Sequence, residues 1–139
     1  MKRVLLDSNI VLDFALSRTP FFANANQIIE QIIDNKFIAY VSASSVTDIF
    51  YILNKNKFDA FNFLKDFLKI VDILKVDKEV IMYSLYLGWE DFEDAVQAEV
   101  ALENDVDVII TRNTGDFTKL EVVKVLTPSE FLAHYREQG

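Results

Sequence analysis

Arg3-Val4-Leu5-Leu6-Asp7-Ser8-Asn9 decides how the rest of the chain is read. The first four residues form a short, mainly apolar strand. Asp, Ser and Asn directly after it are types that start helices, because their side-chain oxygens accept from the free N–H groups of a first turn. Ile10 to Ser17 is therefore predicted as a helix, and the order strand, polar cap, helix recurs along the chain. Ala25, Ile28, Ile29, Ile32 and Ile33 share one face of a helix predicted from Phe22 to Asn35. Phe37 to Val41 reads as a second strand, and Ser42 to Ser45 offers caps for a helix running to about Leu53. A helix from Phe58 to about Lys69 and a third strand from Asp72 to Val76 follow. Lys78 to Leu87 is a helix closed by Gly88, and Phe92 to Glu103 is another. Asp107 to Thr111, with Val108-Ile109-Ile110 at its centre, is the clearest buried strand. Val122 to Leu126 is the last strand, and Pro128 opens a C-terminal helix. Strands joined by helices predict an α/β fold in three layers, α/β/α, around a mostly parallel sheet of about five strands.

The composition bounds the function. With 139 residues, 51% hydrophobic and 26% charged, the chain suits one globular domain over residues 1–139. The absence of cysteine excludes a disulfide scaffold, a thiol nucleophile and a cysteine-ligated zinc site, and one histidine excludes a His-rich metal site. A net charge of −8 argues against sequence-independent DNA coating, which depends on neutralising phosphates. The apolar run Val4 to Leu6 meets Asp7 too soon for an export signal. The longest nearly apolar stretch, Val80 to Trp89, is about half of the ~20 residues a membrane helix needs. A cytoplasmic location without a membrane partner is expected.

In parallel sheets the ligand site lies outside the carboxyl ends of the strands. The residues there are acidic. Asp7 ends the first strand, Asp48 lies one turn into the helix after the second, Asp94 is in the first turn of the helix from Phe92 with Asp91 just before it, and Asp116 lies in the loop after Thr111. Taken singly, Asp7 and Asp91 read as helix caps, Asp48 as a solvated helix residue and Asp116 as an Asx-turn residue. Taken together, they place carboxylates along one sheet edge, where they repel one another unless a cation intervenes. Mg²⁺ prefers oxygen ligands, and such ions activate water and stabilise the leaving oxygen in phosphodiester cleavage. Arg112, in that loop, reads equally as a phosphate contact or as one half of an ion pair with an acidic neighbour. Phe21 and Phe22 read as a helix-start staple or, with Arg18, as residues at the mouth of the groove; most other phenylalanines fall at core or partner-surface spacing.

Leu5-Leu6-Asp7-Ser8-Asn9-Ile10-Val11-Leu12-Asp13 resembles the opening segment of PIN-domain nucleases. Asp91-Phe92-Glu93-Asp94-Ala95-Val96-Gln97-Ala98 resembles that family's third acidic motif, Ile109-Ile110-Thr111-Arg112-Asn113-Thr114-Gly115-Asp116-Phe117 its fourth, and Leu126-Thr127-Pro128-Ser129-Glu130-Phe131-Leu132 its terminal segment. The resemblance runs from Leu5 to Leu132. It implies a PIN-like fold and a Mg²⁺- or Mn²⁺-dependent ribonuclease. Asp7, Asp48, Asp94 and Asp116 are implied as the metal-holding, catalytic carboxylates, with Ser8, Asn9, Asp91, Thr111 and Asn113 in support. Asp48 stands where many members have Glu, and Asn113 where the common pattern has Asp. Small prokaryotic members resemble VapC-type toxins of type II toxin–antitoxin pairs, which implies an RNA substrate, a cognate antitoxin and a homodimer.

Other readings of the same scaffold make different demands. A haloacid-dehalogenase-like phosphatase needs Asp at position 9, where this chain has Asn9. A receiver domain needs an adjacent acidic pair after the first strand, and Asp7 is followed by Ser8. A non-catalytic RNA- or protein-binding module is compatible with Asn113 and Asp48, and predicts no phosphodiesterase activity.

Overall fold

A computed structural model describes residues 1–115, 117 and 120–135. Its elements run β1 (Arg3–Leu6), α1 (Ser8–Ala15), α2 (Phe22–Ile33), β2 (Ile38–Ser42), α3 (Ala43–Lys55), α4 (Ala60–Phe67), β3 (Asp72–Leu74), α5 (Lys78–Leu87), α6 (Phe92–Glu103), β4 (Val108–Ile110), β5 (Lys124–Leu126) and α7 (Pro128–Tyr135). The five strands form one sheet in the order β3-β2-β1-β4-β5, and every pairing is parallel. The first strand of the chain is thus the centre of the sheet.

The alternation of side chains along each strand sorts the core into two layers. Val4, Leu6, Ala39, Val41, Val108 and Ile110 face a large cluster built with α1, α2, α3, α4 and α7. Leu5, Tyr40, Ile109 and Leu74 face a smaller one with α5 and α6. Because β1 and β4 have helices on both faces, they read as continuous apolar runs rather than as alternating ones.

Helix starts follow local chemistry. Asp7, Ser42, Asp59, Asp77 and Asp91 are N-caps whose side chains accept from the first turn of α1, α3, α4, α5 and α6. The first helix therefore begins at Ser8, two residues before the start predicted from its apolar stripe. The fourth begins at Ala60 because Asp59 caps it. Gly88 ends α5 at φ +66°, a left-handed conformation that glycine adopts without penalty. Among the described residues, no helix is long and apolar enough to cross a membrane.

Candidate functional site

The connections change direction between β1 and β4: the chain builds β2 and β3 to one side of β1, and β4 and β5 to the other. Loops leaving the two neighbouring strands diverge there and open a crevice at their carboxyl ends. Asp7 and Thr111 stand at that point. The Asp7 backbone N–H donates to Ile110 at 3.0 Å, extending the β1–β4 ladder. Its Oδ1 accepts from the Ser8 N–H at 2.8 Å, and its Oδ2 accepts from the Thr111 hydroxyl at 2.7 Å and the Asn9 amide at 3.4 Å. Three donors at the start of a helix therefore fix the direction of this carboxylate.

Beside it is a cleft of about 120 Å³ between α1, α3 and α6. Asp7 and Ser8 line it from α1's start, Ser44, Ser45 and Asp48 from α3, and Glu93 and Gln97 from α6. The Glu93 carboxyl is pushed above its ordinary value of 4.5, first by desolvation and then by Asp48, which is near enough to share a proton with it, and by Asp91 and Asp7. This is the like-charge effect that the acidic sequence pattern leads one to expect. None of Asp7, Asp48, Asp91 and Glu93 has a lysine or arginine partner among the described residues.

The floor of the cleft is a polar chain. Gln97, 5% exposed, donates to Ser45 Oγ at 3.1 Å, and Ser45 and Ser42 are joined hydroxyl to hydroxyl at 2.9 Å. Gln97 Oε1 and Asn9 Oδ1 are buried acceptors that no described donor reaches.

On the other side of α1, a second carboxylate has the opposite surroundings. Asp13, 1% exposed, has Arg18 Nε at 2.9 Å from Oδ1 and Arg112 Nε at 2.8 Å from Oδ2. The second contact is close but not aligned as a hydrogen bond, so it acts through charge. The Arg112 guanidinium also lies over the Phe21 ring, 4.1 Å from its centroid.

The sequence profile of the PIN domain matches residues 3–115, which include the sheet reversal, the cleft and the Asp13 cluster. The chain belongs to the PIN-domain family. No protein of curated function matches its sequence. Its fold is similar to that of a toxin–antitoxin complex component from Klebsiella pneumoniae (TM-score 0.69, 22% identity, 90% of this chain and 97% of that one). It is similar also to Mycobacterium tuberculosis VapC20, a sarcin–ricin loop cleaving toxin (0.68, 13%, 87% and 98%), and to a chain of DNA-bound VapBC from Salmonella typhimurium (0.68, 16%, 92% and 99%).

Within this PIN domain, the structure brings Asp7, Ser8 and Asp48 to one cleft. Asp94 is nine-tenths buried in the first turn of α6 and does not line the cleft; its backbone N–H is capped by Asp91 Oδ1 at 3.1 Å. Asn113 forms an Asx turn, its Oδ1 accepting from the Gly115 N–H at 3.3 Å, and its own N–H donates to Thr111 Oγ1 at 3.2 Å. Asp116 lies outside the described residues. Among the described residues, no three carboxylates converge tightly enough to hold a metal ion as they stand. The donor set still fits one in kind: it is all oxygen, repels itself, and includes the orphaned amide oxygen of Gln97 in the cleft wall.

Glu93, Gln97 and Asp13 carry more of the site than the sequence motifs assign to them. Gln97 leaves a signal, a lone polar residue in the apolar run Ala95-Val96-Gln97-Ala98. Asp13 leaves a similar one inside Ile10-Val11-Leu12-Asp13-Phe14. Trp89 packs edge-on against Phe117, 5.8 Å between centroids, and so braces the loop after β4 as well as the α5–α6 junction.

Proposed function

We propose that this PIN domain, taken as one unit over residues 1–139, is a Mg²⁺- or Mn²⁺-dependent endoribonuclease and the toxin of a type II toxin–antitoxin pair working in the cytoplasm. The observation that carries the reading is the uncompensated cleft at the sheet reversal. There Asp7 is held rigidly by three donors while Asp48 and Glu93 crowd each other with no cationic side chain beside them among the described residues. A site that only stabilised the fold would neutralise these groups as Asp13 is neutralised. Asp7, Asp48, Asp94 and Asp116 are the residues that would hold the ion; bound there, it would supply the Lewis acidity that activates water and offsets charge on the phosphate. Asp7 keeps one orientation because Thr111, Ser8 and Asn9 bind its two oxygens. Asp91 fixes the first turn of α6 and with it the backbone of Asp94. Asn113 shapes the loop that leads to Asp116. Asp48 and Glu93 lie side by side, and burial together with Asp48 favours the protonated form of Glu93.

The partner reading has its own support. Helix α5 buries Val80 and Ser84 and leaves Met82, Tyr83, Leu85, Tyr86 and Leu87 exposed, an apolar face suited to a second copy of the chain. A separate hollow of about 320 Å³, lined by Phe14, Ile29, Ile33, Phe63, Phe67 and Ile70, suits an amphipathic segment of an antitoxin.

The test is cleavage of end-labelled structured and single-stranded RNAs with Mg²⁺, Mn²⁺ or EDTA, beside Asp94→Asn prepared identically. Metal-dependent cutting lost in the variant is the expected result. Equal cutting by both proteins places the activity elsewhere. No cutting by either, with no thermal shift on Mn²⁺, leaves a binding module and makes Asn113→Asp the next variant.

A further inference from the structure

A second hollow opens at the carboxyl edge of the sheet, about 330 Å³ in volume, between the start of α2, the end of β4 and the start of α7. Phe21, Asn24, Arg112, Thr127 and Ser129 line it. It adjoins the acidic cleft through consecutive residues: Thr111 bonds Asp7, and Arg112, the next residue, points to the other side.

Its chemistry differs from that of the cleft. Among the described residues, two guanidinium groups meet the single carboxylate of Asp13, so one positive charge is in surplus there, in a chain whose net charge is −8. Among the described residues, Arg112 pairs through Nε alone, which leaves its terminal nitrogens as donors. Phe21 keeps 40% of its surface exposed although it already supports that guanidinium. The amide of Asn24 and the Ser129 hydroxyl add polar groups along the wall; that hydroxyl is joined at 3.4 Å to Thr127 Oγ1, which accepts from the Glu130 N–H at 3.2 Å. Surplus positive charge with several donors suits a phosphate, and an exposed ring suits a flat base. A free anion would have no use for the ring, and an apolar peptide none for the charge. Strand β4 lies one spacing, roughly 4.8 Å, from β1, so the hollow is the next station along the sheet edge from Asp7.

We propose that this hollow is the subsite for the nucleotide flanking the phosphodiester presented to the acidic cleft, with its base against Phe21 and its phosphate on Arg112 and Ser129. The inference rests on the ribonuclease reading and names where that substrate is gripped.

Replacing Arg112 risks the fold, because Asp13 would lose a partner; Phe21→Ala and Ser129→Glu leave that pairing intact. Binding of a fluorescein-labelled, uncleavable 2′-O-methyl oligouridylate is measured by anisotropy, beside an abasic oligomer of equal length. Phe21→Ala should weaken oligouridylate binding by roughly 5- to 100-fold, the range for one stacked base. It should leave abasic binding unchanged, whereas Ser129→Glu should weaken both. Wild-type affinity for oligouridylate in Phe21→Ala, or for both oligomers in Ser129→Glu, overturns the subsite; if metal-dependent cleavage persists in those variants, the ribonuclease reading stands without it. A wild-type protein that neither binds the oligouridylate nor cleaves RNA overturns both.

Discussion

Asp13 and the acidic cleft use the same functional group on opposite sides of one short helix. Asp13 is buried and touched by two arginines. Asp48 and Glu93 face each other across a cleft in which no described lysine or arginine reaches them. A buried carboxylate with cationic partners anchors a fold, and losing a partner leaves a charge stranded. Carboxylates left uncompensated in a cleft oppose folding, and they persist only if something else uses them. The contrast sets a structural acid beside the acids proposed to be functional without reference to sequence motifs.

The contrast breaks if variants on the two sides behave alike. Asp94→Asn should reduce RNA cleavage by roughly 10²- to 10³-fold, as when one group that stabilises a transition state is removed, with little change in thermal unfolding. Asp13→Ala should do the reverse first: two arginines would face each other over a cavity, and stability should fall by about 3–5 kcal/mol, or roughly 10–17 °C in Tm by calorimetry. Mn²⁺ at a hundredfold over its dissociation constant should stabilise the wild type by about 2.7 kcal/mol, and much less in Asp94→Asn. Thr111→Val removes the shortest donor to Asp7 and should lower kcat by roughly 10- to 100-fold while the circular dichroism spectrum is unchanged.

The smallest effect is in pH. Glu93 binds its proton more tightly in the folded state than in the unfolded one. The stability this contributes is complete below the ordinary value of 4.5 and is lost as pH rises through the folded value. Metal-free wild type should therefore lose stability, relative to Glu93→Gln, as pH rises just above that value. Urea melts of the two proteins across that window should converge at the acidic end. Identical curves would show that Asp48 and Glu93 are not strained against each other.

Most of the fold was legible because its signals are local. The apolar run Val108-Ile109-Ile110 and the caps at Ser42 and Gly88 each act within a few residues. Boundaries moved where a cap outranked the apolar stripe, as at Ser8 and Ala60. The sheet reversal was harder to read, since strand order depends on contacts far apart in the chain. In the site, Asp7 and Asp48 could be placed at the cleft from the rule for parallel sheets and Ser8 from the family resemblance, whereas Asp94, gathered by the same rule, is buried in α6 and does not line the cleft. Glu93 was hidden behind its more motif-like neighbour Asp94, and only the fold brings it opposite Asp48. Asp13 was hidden because one of its arginines comes from the other end of the sequence.

The Thr111–Asp7 bond spans 104 positions of the chain. A ribosome makes Asp7 104 residues before the Thr111 that completes its surroundings. Since β1 is the central strand and β4 its inner neighbour, the early chain has no assembled crevice to offer while it is being synthesised. The crevice is therefore complete only once β4 has been made and has folded against β1, so a nascent chain that stops short of Thr111 lacks the arrangement that orients Asp7.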